Sequence, residues 1–224
     1  VCWSLMSPAR GNTAARAALE RGLAWLEAQG EIGRASGKTF YSTWAHTYLI
    51  ELASALLADP AQASHHVAWR ELLRREVDIA RNEQAAEGGW GYYDFNHIGQ
   101  NPSGNESTSF NTSAMIECML NARAQGVAPV PGAVEDGVKC VLRMRVPSGA
   151  FAYGTYAELN LSADYNKISG SSGRLQVCNL ALFRTDVPGV DGETLLRGVE
   201  HLRDTHHYIE IARGRVRPHE AFYR

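Results

Sequence analysis

Gln84-Ala85-Ala86-Glu87-Gly88-Gly89-Trp90-Gly91-Tyr92-Tyr93 is the stretch that decides the fold. A Gln closes one helix, a glycine-rich turn follows, and an aromatic residue pins the turn. Arg21-Gly22-Leu23-Ala24-Trp25-Leu26-Glu27-Ala28-Gln29 supplies the helical half of the same pattern. Outward from this turn, apolar periodicity gives helices and almost no strand signal. The spacing predicts helices over residues 13–29, 42–58, 66–84, 108–125, 132–145, 173–184 and 192–206. Thr13 is the expected cap of the first and Asp191 of the last. Asp59-Pro60 stops the second and Gly126 closes the fourth.

The helices repeat. Thr43-Trp44-Ala45-His46-Thr47-Tyr48-Leu49-Ile50-Glu51 aligns with Ser109-Phe110-Asn111-Thr112-Ser113-Ala114-Met115-Ile116-Glu117 at an offset of 66 residues. Hydroxyl, aromatic and Ile-Glu positions coincide. A third copy, Gly173-Arg174-Leu175-Gln176-Val177-Cys178-Asn179, places Asn179 where the others carry Glu51 and Glu117. Arg21-Gly22, Asp136-Gly137 and Arg197-Gly198 each open an apolar stretch in the alternate helices, and Gly137 and Gly198 are 61 residues apart. Two helices per unit of about sixty residues is too long for tetratricopeptide or armadillo units.

The Gln-to-Trp turn and this repeat resemble the QW-type repeats of squalene cyclases and protein prenyltransferases. More narrowly, residues 39–48, 88–95 and 108–112 resemble bacterial proteins labelled prenyltransferase and squalene oxidase repeat proteins. The resemblance spans roughly residues 13–213. It implies an all-α fold, an α/α toroid of helical hairpins. One helix of each hairpin faces a central, aromatic-lined cavity. The helices starting near Ser42, Thr108 and Ser172 carry few long charged side chains and are expected inside. Those at 66–84 and 192–206 are rich in Arg and Glu and are expected outside. His219-Glu220-Ala221-Phe222-Tyr223-Arg224 reads as the first turn of a fourth inner helix. The domain is therefore expected to occupy 13–224 as an incomplete toroid of about three and a half hairpins, truncated at its C-terminus.

Residues 1–12 read as a leader or the remnant of a signal peptide. Export and cytoplasmic residence stay equally open. No apolar run approaches the roughly 18 residues of a membrane span. A net charge of −2 gives no electrostatic case for nucleic acid. Cys2, Cys118, Cys140 and Cys178 form no CxxC, and the last three are expected as buried thiols.

The catalytic motifs of the resembled enzymes are missing. There is no DxDD acid for protonating an alkene, no Asp-x-Cys zinc motif and no Cys-Gly-Glu-Gln thioester. His201, His206 and His207 are not spaced to share an ion on a helix, so no metal and no cofactor are expected. The remaining candidates gather at the inner-helix N-terminal mouth. His46 and Asp94 are the candidate catalytic acid/base groups. Trp44, Tyr48, Tyr92, Tyr93, Asn111, Thr112, Arg174 and Gln176 are the candidate substrate contacts. Trp90 is expected to pack beneath the turn. Glu51 and Glu117 are expected to anchor an arginine of a neighbouring hairpin, Arg123 or Arg174. Free helix-start N–H groups favour a polar ligand head, with apolar helix middles behind it.

Three readings follow. The first is an enzyme or binder of an isoprenoid-like ligand, a terpene cyclase- or prenyltransferase-like protein if an enzyme. The second is a scaffold docking a protein partner. The third is a glycan-active toroid with Tyr and His near an Arg. Fold alone does not choose among them.

Overall fold

The computed structural model describes residues 2–29, 43–92, 107–155 and 166–215. These residues form an all-α fold. Their extended pairing is limited to two isolated antiparallel bridges, Thr108 with Gly154 and Arg145 with Phe151. Helix α1 (Cys2–Leu5) and a 3-10 turn (Pro8–Arg10) lead into α2 (Thr13–Gln29). Next come α3 (Thr43–Ala58), a second 3-10 turn (Pro60–His65) and α4 (His66–Asn82). They are followed by α5 (Ser109–Ala124), α6 (Ala133–Arg143), α7 (Ile168–Arg184) and α8 (Gly192–Arg215).

Most boundaries match the periodicity, and the departures have local causes. The first helix is capped by Asn12, not Thr13: Ala15 N–H donates to Asn12 Oδ1 at 3.0 Å. Asp191 does cap α8, accepting from Thr194 N at 2.9 Å. Helix α7 begins at Ile168, before the expected residue 173. Its first turns are Ser and Gly, which read as loop by composition. Ser171 and Ser172 are buried, so tertiary packing overrides their weak propensity. Helix α8 runs past residue 206. Residues 2–9 do not stand apart, because Cys2, Leu5, Met6 and Ala9 pack on the main core.

Helices pair as α3 with α4, α5 with α6, and α7 with α8. Helix α5 also lies against both α3 and α7, so these three form an inner row. Each outer helix turns one apolar stripe inward. In α4 this is Trp69, Leu73, Val77 and Ala80, at helical spacing. Between the layers lie Ile50, Leu56, Leu73, Met115, Ile116, Met119 and Leu182, all fully buried.

The repeated glycines explain the close layers. A Cβ on Gly137 of α6 would stand 3.0 Å from the Trp90 ring and 3.1 Å from Ile116 of α5. A Cβ on Gly198 of α8 would stand 2.6 Å from Gln176 of α7. In successive hairpins the outer helix thus touches its inner partner at the residue that lacks a side chain.

The Gln-to-Trp turn ties the first two hairpins. Gln84 Nε2 donates to Gly88 O at 2.7 Å and to Ala133 O, at the start of α6, at 2.8 Å. Gly88 has a φ of 91°, which suits glycine. Trp90, fully buried as expected, donates its indole N–H to Ala80 O at 2.7 Å. Its backbone N–H donates to Thr112 Oγ1 at 3.0 Å.

Trp90→Ala should therefore cost about 3–5 kcal/mol, and Gly137→Ala about 1–3 kcal/mol by overpacking. Chemical denaturation of both variants checks this. An unchanged midpoint for Trp90→Ala would contradict the anchoring role.

Candidate functional site

The N-terminal ends of α3, α5 and α7 carry a continuous row of aromatic rings. Tyr48 and Trp44 stack with centroids 5.8 Å apart, and Trp44 stacks on Phe110 at 6.1 Å. Phe110 meets Tyr92 edge-on at 5.8 Å and Tyr153 edge-on at 5.3 Å. The Tyr92 and Tyr153 hydroxyls hydrogen-bond. Beyond Tyr153 lies the Arg174 guanidinium, 5.5 Å from the ring centroid. Such ring pairs contribute about 0.5–1.5 kcal/mol each beyond area burial. Core packing does not account for the whole row, because Tyr48 is 62% exposed while Trp44, Phe110, Tyr92 and Tyr153 are half-buried.

Short extended segments set the rings. Thr108 N donates to Trp90 O at 3.0 Å, and Ser109 N to Tyr153 O at 3.0 Å. Tyr153 N in turn donates to Asn166 Oδ1 at 2.8 Å. Arg174 is buried and held by the carbonyls of Phe151 at 3.1 Å and Gly170 at 3.2 Å. It is a fixed cation at the end of the row.

The sequence candidates separate by helix face. Trp44, Tyr48, Tyr92 and Arg174 belong to the row. Asn111 is buried next to Phe110, and neither its amide N nor its amide O has a hydrogen-bond partner. Thr112 faces the Trp90 backbone and serves packing. Gln176 Nε2 donates to Gly198 O, joining α7 to α8. Tyr93 and Asp94 lie outside the described residues, as do the residues of 96–106 and 219–220.

His46 turns the other way from Trp44 and Tyr48, since two residues along a helix is about 200° around it. It sits in the α3–α4 interface. Its Nδ1 lies 2.6 Å from Glu76 Oε2 and its Nε2 3.5 Å from Glu83 Oε1. All three side chains are buried, and Arg75 Nε also donates to Glu76 at 3.3 Å. The expected free acid/base at the mouth is thus an interior histidine between two carboxylates. Glu76 and Glu83 gave no sequence signal beyond their places on an Arg- and Glu-rich helix.

Further along the same inner faces, a polar network joins the three helices. Glu117 Oε2 accepts from Arg184 NH1 at 2.5 Å. Arg184 NH2 donates to Asn121 Oδ1 at 3.0 Å, and Asn121 Nδ2 to Glu51 Oε2 at 2.8 Å. The arginine that Glu117 anchors is Arg184, not Arg123 or Arg174. Burial raises the Glu117 carboxyl above its ordinary value, opposed by Arg184 and aided by Glu51. The nearby thiols are no nucleophiles. Burial pushes Cys178 up to about 11 and Cys118 well above its ordinary value.

Phe110 and Tyr153 were missed as site residues. The repeat could have supplied Phe110, which aligns with Trp44. Tyr153 reaches the row only through pairing of residues 151–155 with 107–109, which no local pattern announces. No group of three His, Cys, Asp or Glu among the described residues is placed to hold a metal. No helix among them is long and apolar enough to cross a membrane. Comparisons with protein-family models, with curated proteins and with solved structures return no match.

Two variants test these electrostatics. His46→Leu leaves two carboxylates buried without their cation and should cost about 3–5 kcal/mol in a denaturant titration. The Glu117 carboxyl is raised in the folded state, so the folded chain holds its proton longer. Its contribution to stability is full below the unfolded value and is lost as pH rises through the folded value. Glu117→Gln should therefore flatten that fall in melting temperature, upward from about pH 4.5. Parallel melting curves for wild type and variant would contradict it.

Proposed function

We propose that the inner row of α3, α5 and α7 is part of an α/α toroid that binds an elongated, isoprenoid-like ligand. The aromatic row of Tyr48, Trp44, Phe110, Tyr92 and Tyr153 carries this reading. Half-exposed, nearly parallel rings offer apolar faces to an unsaturated chain. Behind the rings, Ala114, Val177 and Leu180 extend the partly open apolar surface. Asn111 supplies the polar end. A buried amide without partners is costly, and a ligand hydroxyl or ether oxygen would satisfy it. The paired inner and outer helices, repeated about every sixty residues, favour the toroid, as does the Gln84–Trp90 turn. The reading is of binding, because the described face presents no strong, isolated acid for alkene protonation: Glu117 is paired with Arg184.

A glycan ligand is the second reading, favoured by the exposure of Tyr48 and the Tyr153–Arg174 contact. Titration of the full chain with farnesol, farnesyl diphosphate and cello-oligosaccharides, followed by tryptophan fluorescence, separates the two. Farnesol or its diphosphate should bind, and Trp44→Ala should weaken binding at least tenfold with little change in melting temperature. Asn111→Leu should also weaken farnesol binding while leaving stability unchanged or higher, since no hydrogen bond is lost. Oligosaccharide binding alone moves the assignment to glycans. Binding of neither ligand leaves a docking scaffold.

A further inference from the structure

A second cleft lies away from the aromatic row, between the second and third hairpins. The chain leaving α6 turns sharply through Val146-Pro147-Ser148-Gly149. Gly149 N donates to Val146 O at 2.9 Å, and Val146 N to Ala150 O at 2.9 Å. This turn faces Leu175 and Asn179 of α7 and Thr194, Arg197, Gly198 and His201 of α8. Together they enclose about 230 Å³. That is below the usual range for drug-sized ligands, so the occupant is compact.

The lining is cationic, and its cations are only partly used. Arg145 is half-buried, and its guanidinium has no hydrogen-bond or ion-pair partner among the described residues. Arg197 bonds Glu193 at 3.0 Å, an exposed pair four residues apart on one helix. Such a pair is worth only a few tenths of a kcal/mol, so a stronger anion displaces it readily. Asp191 is occupied in capping α8. Asn179 is buried at the cleft wall, and its Oδ1 has no donor. A buried, unsatisfied acceptor in a wall of donors calls for a ligand that brings both an anion and a hydroxyl.

We propose that this cleft binds a small hydroxylated oxyanion, a phosphomonoester of a short polyol or sugar. Arg145 and Arg197 hold the phosphate, with Ser148 and His201 as further donors. Asn179 Oδ1 accepts from a ligand hydroxyl. Charge-assisted bonds from guanidinium to phosphate are the strong contacts, and the hydroxyl sets selectivity. Bound there, the ligand would join the turn after α6 to the third hairpin.

Isothermal titration of the full chain at fixed ionic strength, with glycerol 3-phosphate, inorganic phosphate and glycerol, tests this. Glycerol 3-phosphate should bind saturably, phosphate more weakly, and glycerol not at all. Arg145→Gln should weaken both phosphate ligands at least tenfold without lowering the melting temperature, because the side chain has no protein partner to lose. Asn179→Leu should weaken glycerol 3-phosphate and leave inorganic phosphate unchanged. Should that variant fold poorly, the ratio of the two affinities in wild type decides the hydroxyl contact. Equal affinities overturn the role of Asn179. Absence of saturable binding by either phosphate, or binding unmoved by Arg145→Gln, overturns the site.

Discussion

The buried indole of Trp90 is the constraint on which the rest of the described structure depends. It gives its N–H to the last turns of α4, lies against Gly137 of α6, and bonds Thr112 of α5 through its backbone. Three helices from two hairpins are thus fixed by one residue. The Trp90 carbonyl then receives Thr108 N and so sets where α5 begins. Phe110 stands two residues on, and with it the centre of the aromatic row. Core and site share one anchor, so the row's geometry is not independent of stability.

The helices were legible because their apolar spacing is regular and their stops are chemically plain, as at Asp59-Pro60 and Gly126. The hairpin pairing was legible because Gly137 and Gly198 recur where an outer helix must approach an inner one. The start of α7 was not, because buried Ser171 and Ser172 look like loop residues until their packing is known. At the site, Trp44, Tyr48, Tyr92 and Arg174 could be placed by helix position alone. His46 could not. It sits between two aromatic residues in sequence, but the helix turns it toward Glu76 and Glu83, which lie 30 and 37 residues away. Arg184 likewise reaches Glu117 across 67 residues. Sequence periodicity gives the face of a helix but not the partner that covers it.

Two polar arrangements inside the fold differ in kind. The His46 cluster is closed, with a ring held by carboxylates at both nitrogens and shielded by α4. Such groups fix how two helices register more than they add to net stability. The Glu51–Asn121–Arg184–Glu117 network is partly open and runs across three helices in series. It carries one arginine against two glutamates, so the inner face keeps an unbalanced negative charge in its deeper part.

The row contacts and this network also fix the sense of the inner helices. Trp44 meets Phe110 at the starts of α3 and α5, and Glu51 and Glu117 reach Asn121 and Arg184 further along. The three helices therefore run parallel, and their peptide dipoles add instead of cancelling. Each helix places about half a positive elementary charge at its start and half a negative one at its end. The aromatic mouth is thus electropositive without any exposed lysine, and Arg174 reinforces it. A ligand is oriented before it makes contact, with its electron-rich end toward the rings. A reaction that builds positive charge at this mouth would be opposed by the backbone itself.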